Sequence, residues 1–179
     1  MSDRAISGAW AYRMLYLALA TGLLVLSLTP IPPLWHSLPP PDILACLTCA
    51  WVLRRPEYLP PLLVAAVVLL ADFLQQRPPG LWAAIMVVLV VALSGRVARV
   101  RELPFASEWL LVAIALLVAV LVNRVALYLV LGANVPIGAV LLQYSFTLAA
   151  YPVVVLLSNV VFRVQKLPPG SDEMLGREA

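Results

Sequence analysis

Pro60-Pro61-Leu62-Leu63-Val64-Ala65-Ala66-Val67-Val68-Leu69-Leu70-Ala71-Asp72-Phe73-Leu74, followed by Gln75-Gln76-Arg77-Pro78-Pro79-Gly80, decides how the rest of the chain is read. The first part is an apolar helix that opens on proline, where a missing N–H leaves no bond unmade. The second part is a tight polar turn, after which the chain becomes apolar again at Leu81. Near the far end of the helix sits one carboxylate, Asp72. A charge at the centre of a bilayer costs about 2.5–3.5 kcal/mol on insertion scales, and less toward an interface. A compensating group is therefore expected.

The composition places the whole chain in the same setting. It is 63% hydrophobic and 12% charged, with a mean hydropathy of +0.98. Soluble domains are nearer 45–50% apolar and about 25% charged. The apolar runs are apolar all round and do not alternate, which excludes a membrane β-barrel. Several approach the ~20 residues needed to cross about 30 Å of hydrocarbon as a helix. The 179 residues hold about six such spans. The expected fold is thus an all-α membrane protein: one six-helix bundle over 1–163, followed by a disordered cytoplasmic tail over 164–179.

Spans are expected at about Arg13–Thr29, Asp42–Leu53, Tyr58–Leu74, Gly80–Ser94, Glu108–Leu131 and Ile137–Phe162. The first apolar run lacks a small-residue cleavage site and is kept as a span, not a signal peptide. Six prolines between Pro30 and Pro41 exclude helix there, and Trp35 suits a headgroup-level anchor. The second span is short. Either the bilayer is thinned around it or it starts among neighbouring helices. The fourth helix is expected to continue through Arg96, Arg99 and Arg101 to a stop at Pro104. Gly132 to Val135 should form a tight turn. Pro152 should kink the sixth span.

Basic residues orient membrane helices with the positive side inward. Ten of the twelve fall on one side of this map, Arg77 alone falls on the other, and Arg124 lies within a span. Both termini are therefore expected in the cytoplasm. The outer connections are short, so partners should be met sideways, through helix faces, or at the basic loops.

Few residues offer chemistry. Asp72 lies about 21 Å into its span and Arg124 about 22 Å into its own, both from the inner side. Equal depth predicts that they pair, as intramembrane charges usually must. Such a pair would either tie two helices together or form a polar centre for a partner or substrate; the remaining alternative leaves Asp72 solvated at the outer interface. Asp42 follows Pro41 and should cap the second helix. Cys46 and Cys49 have redox or metal-site spacing, but an apolar span with no nearby His favours inert packing. Gln143, Thr147, Tyr151 and Ser158 share one helical stripe that should face the bundle interior. His36, the only histidine, lies in the proline-rich connection. Ala18, Thr21 and Gly22 form a face of small residues suited to close helix approach. There is no Walker, HExxH or GxSxG motif, no cofactor or metal is expected, and nothing points to nucleic acid or to an enzyme.

The ordered set of segments also carries a resemblance. Pro41-Asp42 through Trp51 to Arg54-Arg55-Pro56, the Asp72 helix, and Arg77-Pro78-Pro79-Gly80-Leu81-Trp82 together resemble the MreD family of rod shape-determining proteins. Arg101-Glu102-Leu103-Pro104-Phe105 and the Asn123-Arg124 span resemble the family's alphaproteobacterial branch. The likeness covers most of the chain and is poorest in the first span and the C-terminal tail. It implies a non-catalytic component of the bacterial inner-membrane elongation machinery, acting in lateral peptidoglycan synthesis. MreC, MreB, RodA and its transpeptidase partner would be its associates, with membrane lipids around it. It also implies a fold similar to the six-helix substrate-binding subunits of energy-coupling-factor vitamin transporters. That second likeness supplies the alternative role, a transporter subunit using Asp72, Arg124 and the polar stripe as ligands.

Overall fold

A computed structural model describes residues 2–29, 39–101, 104–132 and 136–161. Trp35, His36, most of the proline-rich connection, the turn residues 133–135 and the C-terminal tail lie outside them. The described residues form α-helices and no strand: α1 (Ser2–Leu28), α2 (Ile43–Arg54), α3 (Pro61–Leu74), α4 (Leu81–Ser94), α5 (Val97–Arg101), α6 (Phe105–Leu131) and α7 (Ile137–Val160). One 3-10 turn, Pro56–Tyr58, joins α2 to α3.

Three helical stretches are long and apolar enough to cross a membrane: Ala9–Leu28, Phe105–Val130 and Ile137–Val160. The other three apolar helices are shorter, at 12 residues for α2 and 14 each for α3 and α4. At 1.5 Å per residue they are about 18–21 Å long, against about 40 Å for α6 and 36 Å for α7.

Side-chain pairings fix the directions. Tyr16 meets Thr48 at 2.9 Å and Tyr12 lies edge-on to Trp51, so α1 and α2 are antiparallel. Asp42 meets Thr147 and Arg54 meets Asn159, so α2 and α7 run together. Tyr144 and Trp109 donate to Ala113 and Leu148 carbonyls, so α6 and α7 are antiparallel. With the α3–α4 hairpin, the six apolar helices α1, α2, α3, α4, α6 and α7 alternate in direction along the chain.

The shortness of α2 has a packing reason. Every residue from Ala45 to Arg54 is buried. A helix apolar all round belongs in a core, and α2 is that core, with α1, α4, α5 and α7 around it. The exterior is the reverse of a soluble protein's. Leu62, Val88, Leu129, Val130, Ile137 and Val160 are each about 70–80% exposed, and an apolar surface of that extent belongs against lipid or a partner.

One expectation fails here. The fourth helix does not run on to Pro104; it stops at Ser94, turns at Gly95–Arg96 and restarts as α5. Ser and Gly are poor helix residues, and the break lets Val97 and Val100 turn inward and become buried. The sixth helix starts at Phe105, a turn earlier than expected, and the third at Pro61, slightly later.

Candidate functional site

Two polar centres lie at opposite ends of the bundle. The first is organised by Asp72, in the last turn of α3. Its side chain is fully buried. The expected pair with Arg124 is not what forms. Oδ2 accepts the N–H of Gly80 at 3.1 Å and of Ala83 at 3.2 Å. Gly80 is the N-cap of α4, with φ +89°, and has no side chain with which to cap. Asp72 therefore supplies the cap from the neighbouring helix, where an anion also suits the helix dipole. Arg124 is out of reach because α3 packs along α4, and α4 stands between α3 and α6. The other Asp72 oxygen, Oδ1, is buried without a hydrogen-bond partner.

The turn between α3 and α4 is tight. Arg77 N–H bonds to the Asp72 carbonyl at 3.0 Å, and Gln76 takes a left-handed φ of +54°. This geometry aims Arg77 at Asp42, 3.8 Å away. Asp42 caps α2, its Oδ1 accepting the Ala45 N–H at 2.9 Å, and its own N–H donates to Thr147 Oγ1 at 2.9 Å. Above these groups lies a cavity of about 300 Å³, lined by Asp42, Arg77, Arg124, Gln143, Tyr144 and Thr147 among others. Arg124 thus lines a cavity with Arg77; Asp72 does not line it.

The second centre was not foreseen. Glu108, fully buried near the start of α6, accepts from Arg54 Nη1 at 2.8 Å and from Tyr151 OH at 2.9 Å. Arg54, 3% exposed, also donates to Asn159 Oδ1 at 3.2 Å and to the Ala50 carbonyl at 3.1 Å. The cluster joins α2, α6 and α7. A cavity of about 510 Å³ opens beside it, lined by Arg54, Phe105, Glu108, Pro152, Val155, Leu156 and Asn159. The signal was present in the sequence: a lone acid one turn into a long apolar helix, level with the last residue of α2. Arg54 and Arg55 read alike in the sequence, as adjacent basic residues at a helix end.

The α7 stripe turns inward, with each member bonded. Gln143 donates to the Pro40 carbonyl, Thr147 receives Asp42, Tyr151 serves Glu108, and Ser158 accepts from Trp51 Nε1 at 3.1 Å. Cys46 and Cys49 are free and buried, and the Cys46 thiol points at the Thr147 carbonyl at 3.2 Å. Outside the long helices, Tyr58 stacks on Tyr12 at 4.4 Å. Burial raises its phenol above the usual range, against the lowering pull of Arg55. Among the described residues, no group of three or more His, Cys, Asp or Glu is placed to hold a metal ion.

Fold and site together define a class: a helical membrane protein whose polar side chains mostly join one helix to another. No protein-family model, curated protein or solved structure matches the chain.

Proposed function

We propose that this chain is a six-span, non-catalytic scaffold of the bacterial inner membrane, working in the MreD position of the rod complex. In that role it would help MreC, MreB, RodA and its transpeptidase partner maintain lateral wall synthesis and rod shape. The ordered set of MreD-like segments, from Pro41 to Trp82 and on to Asn123-Arg124, carries the reading. The packing is consistent with it. Asp72, Arg54, Glu108 and Tyr151 are engaged in holding helices. On this reading the Arg54 end is cytoplasmic, by the positive-inside rule. The short α3 and α4 reach across through local thinning of the bilayer.

The face expected to meet the single span of MreC is on α1. Tyr16, Ala20 and Leu24 bury one side of that helix, leaving Ala18, Thr21 and Gly22 exposed on another. A Cβ added at Gly22 meets nothing within 4 Å, so a larger residue there leaves the fold intact. The wild-type chain is expected to co-purify with MreC, and Gly22→Leu combined with Ala18→Leu to abolish this. Retained binding sinks the assigned face; a wild-type chain that never co-purifies with MreC contradicts the scaffold.

The cavity at the Asp72 end supports a second reading, a substrate-binding subunit of a vitamin transporter. Its volume is at the low end of ligand pockets, about 300–1,000 Å³. A growth requirement for a vitamin on depletion, with normal cell shape, would select that reading.

A further inference from the structure

The cavity between α4, α6 and α7 has a shape and a charge that the scaffold role does not use. Its floor is sunk well into the bundle. Asp42 bonds to Thr147, which lies about 15 Å along α7 from Ile137. Arg77 sits beside Asp42. Arg124 lies about 10 Å below the end of α6 at Leu131. The long helices α6 and α7 therefore stand above the floor as walls. With α7 crossing the bilayer, that floor lies well below the level at which α6 and α7 end.

Among the described residues, two guanidiniums line this recess against one carboxylate. Asp42, whose Oδ2 lies 3.8 Å from Arg77, offsets one of the two charges, so this lining keeps a net positive character. Guanidinium is the side-chain group best matched to phosphate, through its planar fork of donors. The wall above is aliphatic, with Leu116, Val120 and Leu127. A cavity of about 300 Å³ holds a small head and a few carbons, not a whole lipid. The rest of a bound amphiphile must leave it, and α6 presents an exposed apolar surface at Leu121 and Val125.

We propose that this recess binds the phosphate head of an anionic amphiphile, with Arg77 and Arg124 on the phosphate and its chain against α6. A soluble phosphate offers the same head chemistry but leaves the aliphatic wall uncovered. The site does not rest on the rod-complex role, and lipid binding without any effect on cell shape would leave it standing.

The test uses the full chain in phosphatidylcholine nanodiscs, with phosphatidic acid added and bound lipid counted by native mass spectrometry. One phosphatidic acid per chain is expected. Arg77→Gln combined with Arg124→Gln should weaken binding at least tenfold, and Arg96→Gln at the opposite end should not. Leu127→Trp, which fills the recess without changing charge, should also exclude the lipid; protection of Cys46 and Cys49 from thiol reagents reports that each variant is folded. Inorganic phosphate should fail to displace the lipid. Equal retention of phosphatidic acid and phosphatidylcholine overturns the proposal, as does unchanged binding in both recess variants. Displacement by inorganic phosphate assigns the recess to a soluble anion and overturns the lipid.

Discussion

Replacing Glu108 by leucine should be among the most damaging single changes in this chain. Glu108 is fully buried, and it accepts from Arg54 at 2.8 Å and Tyr151 at 2.9 Å. Leucine leaves the Arg54 guanidinium, 3% exposed, facing a hydrocarbon side chain with only Asn159 and the Ala50 carbonyl still bonded. Breaking a buried ion pair from one side costs about 3–5 kcal/mol, because a charge is left buried without its counterpart. Tyr151→Phe removes one hydrogen bond to a charged acceptor and should cost about 1.5–3 kcal/mol. Replacing the whole cluster by apolar residues, as Arg54→Met, Glu108→Leu and Tyr151→Phe together, should recover most of the loss, since buried pairs exchanged for well-packed apolar groups are often near neutral. The assay is thiol labelling of Cys46 and Cys49 during denaturant titration in mild detergent. Both thiols are fully buried in the core around α2, so labelling follows its opening. The Arg54→Met and Glu108→Leu cycle should show a coupling of at least about 1 kcal/mol, within the range found for bonded neighbours. A Glu108→Leu protein as stable as wild type, or purely additive variants, would refute the reasoning.

Two further outcomes follow from the α3–α4 hairpin. Asp72→Ala removes the acceptor for Gly80 and Ala83 N–H and should cost about 1–2 kcal/mol, as loss of a helix cap does. Asp72→Asn, which keeps one acceptor oxygen, should cost less, and the same labelling assay ranks the three proteins. Gln76 holds a left-handed φ of +54°, which disfavours a residue with a Cβ by about 1–2 kcal/mol. Gln76→Gly should raise the thermal midpoint of detergent-solubilised protein, with a stabilisation of about 0.5–1 kcal/mol; a fall would show that the Gln76 side chain makes a contribution of its own.

The helices were legible because apolar runs bounded by proline, glycine and charge leave few other readings. Asp42 at the start of α2, the Pro60-Pro61 opening of α3 and the Gly80 cap of α4 fall where turn and cap chemistry put them. Partner choice was not legible. Equal depth suggested Asp72 with Arg124, but depth says nothing of which helices are neighbours, and α4 intervenes. The donors that Asp72 uses are backbone N–H groups, which every sequence carries and no sequence highlights. Arg54 was hidden by its neighbour Arg55: in adjacent helix-end positions one points in and one points out, and α2 had to be seen as the central helix to know which. The break at Gly95 needed the same information, since it exists to bring Val97 and Val100 onto α2.

The measurement that bears most directly on the proposed role is cell width during depletion in the native host, with newly made wall labelled. Widening or rounding, with loss of label from the lateral wall, is the expected result. Cells that keep their width and lateral label while the protein disappears would contradict a place in the rod complex.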